Sequence, residues 1–379
     1  MALFDIETPT LILDRSALER NTSRMTARFA ARGIRLRPHM KTAKSIDVAR
    51  LAISGNFGGI TVSTLREAEY FARHGITDIT YAVGIIPQKL GRVIDLVRQG
   101  VRVSIITDRV EIAEEASRIA AAEGVVLPTL VELDSGEQRA GVSATSDELC
   151  VLGATIEALP GLRLEGVLTH AGHSYQGRSI AQIEEIAEAE RVCATTAAER
   201  LRSMGLDVGV VSIGSTPTAT HGKSYQGITE VRCGVYMFGD VFQSEIRSCR
   251  LEDVAVSVLA TVVDHRRDLG TALIDAGALA LSKDRSTAAA GLPEDIGYGL
   301  VLDASASRLV EGVRVGQVYQ EHGLLVSEGA FPFDQLPIGT RVRILPNHAC
   351  MTAAMHQGYH VVDGIDDTSM EYWPRINGW

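Results

Sequence analysis

From residue 34 to residue 234, short apolar runs alternate with longer stretches in which apolar residues recur every three or four positions. The short runs cover 34–39, 59–64, 78–83, 102–107, 129–134, 164–171, 210–215 and 228–234. Compact runs of this kind read as strands, and the three-to-four spacing reads as helix. The helical stretches include SIDVARLAIS, LREAEYFARHG, QKLGRVIDLVRQG, RVEIAEEASRIAAAEG and the long IAQIEEIAEAERVCATTAAERLRSMG. Gly75, Gly100 and Gly205 stand just past three of them, where a left-handed residue closes a helix. Strand-then-helix repetition implies parallel pairing, and eight such units predict a closed (β/α)8 TIM-type barrel in an α/β chain.

After residue 245 the pattern changes. VAVSVLATVVDHRR, TALIDAGALAL, YGLVLD, VRVGQVYQEHGLLVS, TRVRILPNHA and GYHVVDG are strand-like and separated by turns, with little helix between them. They predict an antiparallel β domain. The run TLILD at 10–14 precedes the barrel and is assigned to that domain. The expected division is a barrel at 15–243 and a β domain built from 1–14 plus 244–379.

Composition narrows the function. A net charge of −10 argues against a nucleic-acid surface or an anionic membrane as partner. The five cysteines are odd in number and show no CxxC spacing, so neither a disulfide framework nor a zinc knuckle is expected. The start, MALFDIETPT, lacks a basic segment and does not read as a secretory signal, and no apolar run is long enough to span a bilayer. The expectation is a cytoplasmic protein that acts on a small molecule.

In a (β/α)8 barrel, function collects on the loops after the strands. The first strand ends in RPHMKT, which puts Lys41 at the rim; Lys44 falls in the first turn of the next helix and reads as surface. The fifth ends in ELDSGEQRAG with Arg139, and the sixth in LTHAGHSY with His170, His173 and Tyr175. The seventh ends in SIGSTPT with Gly214, Ser215 and Thr216, and the eighth in VRCGVY with Arg232, Gly234 and Tyr236. Small, donor-rich loops after strands seven and eight are the usual phosphate seat of this fold. A rim lysine opposite a phosphate seat points to pyridoxal phosphate.

At these residues the chain resembles the fold-type III pyridoxal-phosphate enzymes, whose barrel is that of alanine racemase. RPHMKT resembles the strand carrying the linking lysine, which implies Lys41 as that lysine and as the base at the substrate's α carbon. DSGEQRAG keeps a D-[ST]-G-x-x-R-x-G spacing, which implies Arg139 near the coenzyme's phenolic oxygen. VRCGV implies Arg232 at the pyridine nitrogen and Gly234 and Val235 at the phosphate. Within the family, GITVSTLREAE, THAGHSY, GSTPT and PNHAC resemble the branch of D-serine dehydratase, D-threo-3-hydroxyaspartate dehydratase and D-threonine aldolase. The preference for D substrates and an expected homodimer come from the resemblance alone. It implies the dehydratase reaction first and aldol cleavage as the alternative.

The segment PNHAC holds His348 and Cys350. A lone His-x-Cys pair is more often a core histidine and a small buried thiol than a metal site. Pro346 and Asn347 end the preceding strand, so both side chains are expected in a loop, and the resembled dehydratases place a metal there. Imidazole and thiolate suit Zn²⁺ better than Mg²⁺ or Mn²⁺. The resembled aldolases use a carboxylate where this chain has Cys350. Tyr175 is expected to stack on the coenzyme or simply to pack, and His170 to line the site or the core. Asp275, Lys283 and His322, at polar tips of the β domain, are candidate substrate contacts, with ordinary turn chemistry as the alternative.

Overall fold

The computed structural model describes all residues except 1–4, 290, 292–295, 364 and 365. It divides into two compact units.

The first unit comprises Met25–Lys41, Ala49–Gly234 and Gly378–Trp379. Its eight strands pair in the order Arg35–Leu36, Glu230–Val231, Val210–Ile213, Leu162–Thr169, Leu127–Leu133, Arg102–Thr107, Asp78–Gly84 and Ile60–Val62. Every pairing is parallel. The ring closes through one bridge, His39 to Thr61, in which the Met40 amide donates to the Thr61 carbonyl at 2.9 Å. The strands are apolar on both faces because helices cover the outside and side chains fill the inside; Val103, Ile105 and Ile106 are all fully buried. The helices end where glycine allows it: Gly75, Gly100 and Gly205 take φ of 89°, 85° and 82°. One interior layer is ionic. Arg37 donates from Nε to Glu230 at 2.7 Å and from both Nη atoms to Asp78 at 3.0 and 3.2 Å. Each buried charge there has a partner, which is the condition for keeping it in a low-dielectric interior.

The second unit comprises Met1–Arg24, Thr42–Val48 and Val235–Asn377. Its strands run Thr271–Ile274, Gly323–Ser327, Leu309–Val318, Gly299–Asp303, Arg341–Pro346 and Val256–Arg266, and Thr271–Ile274 also pairs with Val256–Arg266, so these six close on themselves. Thr10–Asp14 adds to Val256–Arg266 in antiparallel register, with Leu11 opposite Val258. It pairs in parallel with Gly358–Asp363, the one departure from an otherwise antiparallel sheet among the described strands. The stretch TALIDAGALAL is strand only over Thr271–Ile274; Ala278–Leu281 is a helical turn, for which its run of Ala and Leu is suited. All five cysteines are free thiols. Among the described residues no helix is long and apolar enough to cross a membrane.

Candidate active site

Lys41 lies in a turn one residue past Met40 and is exposed. Among the described residues no hydrogen-bond or ion-pair partner holds its ammonium. His39, two residues before it, is half-buried, with Nε2 3.3 Å from Ser63 Oγ and Nδ1 accepting from the Lys41 amide at 3.4 Å. Burial, and then the charges of Lys41 and Arg232, hold the His39 imidazole neutral, well below its usual range. His170 behaves alike: its Nδ1 donates to the Gly214 carbonyl at 2.8 Å, and burial together with the Lys41 charge brings it down to about 3. Two neutral imidazoles therefore stand within electrostatic reach of one lysine. Lys44 is not in the first helical turn; it precedes helix Ile46–Ile53 with φ 48°, and its carbonyl accepts from Ile376.

Arg232 is buried, with Nη1 donating to Ser212 Oγ at 2.5 Å and Nη2 to the Thr169 carbonyl at 2.7 Å. Burial lowers its affinity for the proton, and the charges of Glu230 and Glu190 oppose that effect. Arg139 is exposed, 3.5 Å from Glu137. Its charge still reaches His170 and Glu132.

The loops after strands seven and eight approach closely because they carry glycine. Gly214 has φ 134°, and a Cβ there would meet the Arg232 carbonyl oxygen at 2.5 Å. A Cβ on Gly234 would meet the His39 carbonyl oxygen at 2.6 Å. Ser215 caps helix Thr216–His221, accepting from the Thr218 amide and lying 2.7 Å from Ser174 Oγ. The Thr216 amide faces the Tyr175 hydroxyl at 3.5 Å, so Tyr175 belongs to the same cluster. Glu190, fully buried on helix Ile180–Ser203, clamps the loops after strands six and seven by accepting from the Ala171 amide at 2.9 Å and the Gly214 amide at 3.0 Å. Val235 opens the turn Val235–Met237 and is buried.

In the second unit, Asn347 ends its strand by donating from Nδ2 to Thr287 Oγ1 and the Gly297 carbonyl, both at 2.7 Å. His348 and Cys350 do not lie in a loop: His348 is the residue before helix Ala349–Met355, and Cys350 is in its first turn. Asp240 helps start that helix by accepting from the Ala349 amide at 2.9 Å. Asp284 Oδ2 is 2.6 Å from His348 Nδ1. Thr42 Oγ1 is 3.0 Å from Cys350 Sγ. Burial works against a charged His348, yet the hydrogen bond to Asp284 and the neighbouring Cys350 raise it to about 11. Burial disfavours the Cys350 thiolate, and His348 and Thr42 more than offset that, so its pKa is lowered. The pair thus favours a proton on His348 and eases loss of the proton from Cys350, a polarised donor set in which a cation would replace a proton. Among the described residues no three His, Cys, Asp or Glu side chains are arranged to hold an ion; His348 and Cys350 are a pair, with the Asp284 carboxylate behind the imidazole.

The weaker candidates do not join these clusters. Asp275 accepts from Thr8 Oγ1 at 2.5 Å and from the Thr261 amide at 2.7 Å, which ties it to the N-terminal segment. His322 sits in the turn after strand Leu309–Val318, its carbonyl accepting from the Tyr319 amide at 2.7 Å. Asp284, next to Lys283, is the residue that reaches His348. Sequence reasoning missed His39, Thr42, Glu190, Asp240 and Asp284. A carboxylate near a helix start is the only local signal, and Asp240 alone carries it, as the N-cap of Val241–Glu245.

Comparison with known proteins matches an alanine racemase N-terminal domain to residues 13–241 and a serine dehydratase domain to residues 255–362. The chain belongs to the fold-type III pyridoxal-phosphate enzymes that join these two domains. D-threo-3-hydroxyaspartate dehydratase of Delftia sp. strain HT23 is 43% identical over 100% of this chain and 99% of its own length. Its solved structure covers 100% of both chains with a TM-score of 0.96, and a variant of it with a cysteine replaced by alanine is described as metal-free. D-serine dehydratase of Dictyostelium discoideum is 32% identical over 98% of this chain and 97% of its own. A 3-hydroxy-D-aspartate aldolase of Paracoccus denitrificans is 30% identical over 98% and 92%. As a member of this family the protein is a pyridoxal-phosphate-dependent lyase.

Proposed function

We propose that this lyase is a zinc-dependent dehydratase that converts a D-3-hydroxy amino acid, D-threo-3-hydroxyaspartate or D-serine, to a keto acid and ammonia. The observation that carries the reading is the His348–Cys350 donor set, whose sulfur is hydrogen-bonded to Thr42, the residue that follows Lys41.

The barrel loops fit pyridoxal phosphate. The glycines at 214 and 234 let the chain pack against the Arg232 and His39 carbonyl oxygens, which a Cβ would press on, and so build the small, donor-rich loops after strands seven and eight that suit an anion. In this reading Gly214, Ser215, Thr216, Gly234 and Val235 would hold the phosphate, and His170 and Tyr175 would flank the ring. Arg139 would lie towards the phenolic oxygen. Arg232, which can only donate, would favour an unprotonated ring nitrogen. The coenzyme supplies an electron sink for the negative charge that develops at the α carbon.

Lys41, exposed and with no partner on its ammonium among the described residues, would hold the coenzyme through Nζ and, as the free amine, would take the α proton. His348 and Cys350 would hold the zinc, with Asp284 orienting the His348 ring through Nδ1. Zinc lowers the pKa of bound water from about 16 to about 7 and so stabilises hydroxide leaving the β carbon. Overall the substrate would lose its α proton to Lys41 and hydroxide from the β carbon, a net loss of one water, and uptake of one water would release the keto acid and ammonia. An arginine that weakens the ring as an acceptor makes this help at the β carbon necessary.

Aldol cleavage is the second reading, favoured by the aldolase relatives. Cys350 argues against it, and the dehydratase relative is more similar at 43% than the aldolase at 30%. The test is a panel of D- and L-3-hydroxy amino acids, with added zinc and with EDTA. Keto acid and ammonia, lost in EDTA, support the proposal; glycine and an aldehyde overturn it.

A further inference from the structure

We propose that Thr42 is a positioning residue that fastens the metal-binding thiolate to the turn carrying the linking lysine, so that metal binding and coenzyme binding are coupled. The inference rests on the reading of Lys41, His348 and Cys350 given above.

Thr42 is 1% exposed, and its Oγ1 lies 3.0 Å from Cys350 Sγ. A metal-bound sulfur carries no proton, so the hydroxyl is the donor, and a donor to a ligating atom fixes that atom's direction. The same turn is held at the other end of helix Ala349–Met355. Arg375, itself buried, donates from Nη2 to the Thr42 carbonyl at 3.2 Å and from Nε to the Ala43 carbonyl at 3.4 Å. Its Nη1 donates to the Ala353 carbonyl and, at 3.2 Å, to the His356 carbonyl, where the helix ends. Tyr359 adds a hydrogen bond from its hydroxyl to the Ala43 carbonyl at 2.7 Å. These acceptors are all uncharged, so the guanidinium fork sets geometry and does not balance a carboxylate. Residues 42 and 43 are thus pinned to both ends of the helix that Cys350 opens. A shift of the sulfur on taking up an ion is transmitted to Thr42 and, one peptide bond away, to Lys41.

The test titrates pyridoxal phosphate into the coenzyme-free full-length protein by visible absorbance, with Zn²⁺ and with EDTA. Zn²⁺ affinity is measured separately by competition with a chromogenic chelator. For the unaltered protein, zinc should tighten coenzyme binding by about 5-fold or more, the lower end of ordinary coupling between sites. Thr42→Val, which keeps the shape and removes the hydroxyl, should weaken zinc binding by about 10-fold and bring the zinc-to-EDTA ratio of coenzyme affinities towards one. Thr42→Ser should restore both. A ratio of one in the unaltered protein overturns the coupling without recourse to any variant. A folded Thr42→Val with unchanged zinc affinity and ratio overturns the assignment to Thr42. Failure of the unaltered protein to bind zinc or coenzyme at all overturns the underlying reading, and is distinguished by being independent of residue 42.

Discussion

Asp284 Oδ2 lies 2.6 Å from His348 Nδ1, and Ser286 Oγ donates to the other Asp284 oxygen at 2.9 Å. The carboxylate is therefore fixed before it orients the imidazole, and a fixed imidazole presents a single nitrogen to an ion. Replacing Asp284 by Asn keeps the shape and removes the charge. Zinc affinity should fall by about 10- to 100-fold, the usual cost of losing a carboxylate behind a metal-binding histidine. Chelator competition measures this. With zinc and coenzyme both saturating, visible absorbance of the bound coenzyme should stay unchanged, because Asp284 acts on the His348 imidazole. Unaltered zinc affinity would remove Asp284 from the site.

Lys41 is the amine assigned to the coenzyme. Lys41→Ala should abolish covalent attachment: borohydride, which fixes the linkage in the unaltered protein, should leave the variant without attached coenzyme. Retained attachment would mean that another lysine is the partner, and Lys44, three residues on, is the first to try. The two differ physically: Lys44 sits in a left-handed turn with its carbonyl engaged by Ile376, whereas the Lys41 ammonium is uncommitted.

The barrel is legible in the sequence because parallel strands buried on both faces spell continuous apolar runs, and because Gly75, Gly100 and Gly205 mark helix ends with positive φ. His348 and Cys350 stand out as a candidate pair because both lie in one short segment. Their supports do not. Asp284 is 64 residues from His348 and Thr42 is 308 from Cys350, and no local pattern encodes a contact over such a distance. Helix Ala349–Met355 escaped notice for a related reason. Its first residue has no capping hydrogen bond from the side chain before it, and the long-range Asp240 supplies one instead.

Gly214 is where backbone conformation and site meet. Its φ of 134° is one that residues with a Cβ rarely adopt, and the added carbon would press on the Arg232 carbonyl oxygen. Gly214→Ala should destabilise the chain by about 2–4 kcal/mol, from combined strain and overpacking, and weaken coenzyme binding by moving the seventh and eighth loops apart. Urea unfolding and coenzyme titration read the two effects. A variant as stable as the parent, with unchanged coenzyme affinity, would show that the close approach of these loops matters for neither.

His170 gives a pH dependence of definite sign. Burial, and after it the Lys41 charge, lowers it to about 3 in the folded chain, against about 6.5 unfolded. Its contribution to stability is complete above about 6.5 and is lost progressively as the pH falls towards 3, because only the unfolded chain gains that proton in the window. The loss is at most about 1.4 kcal/mol per pH unit for one group. Carboxyls raised by burial, Glu190 and Asp240, slope the other way, so the measurement is a difference between two proteins. His170→Asn retains a donor for the Gly214 carbonyl and removes the titration. Between pH 6 and pH 4, the coenzyme-free parent should lose stability faster than His170→Asn in urea unfolding, by up to about 1.4 kcal/mol per pH unit. Parallel slopes would place His170 at its ordinary value and in contact with water, and would withdraw it from the group of neutral side chains around Lys41.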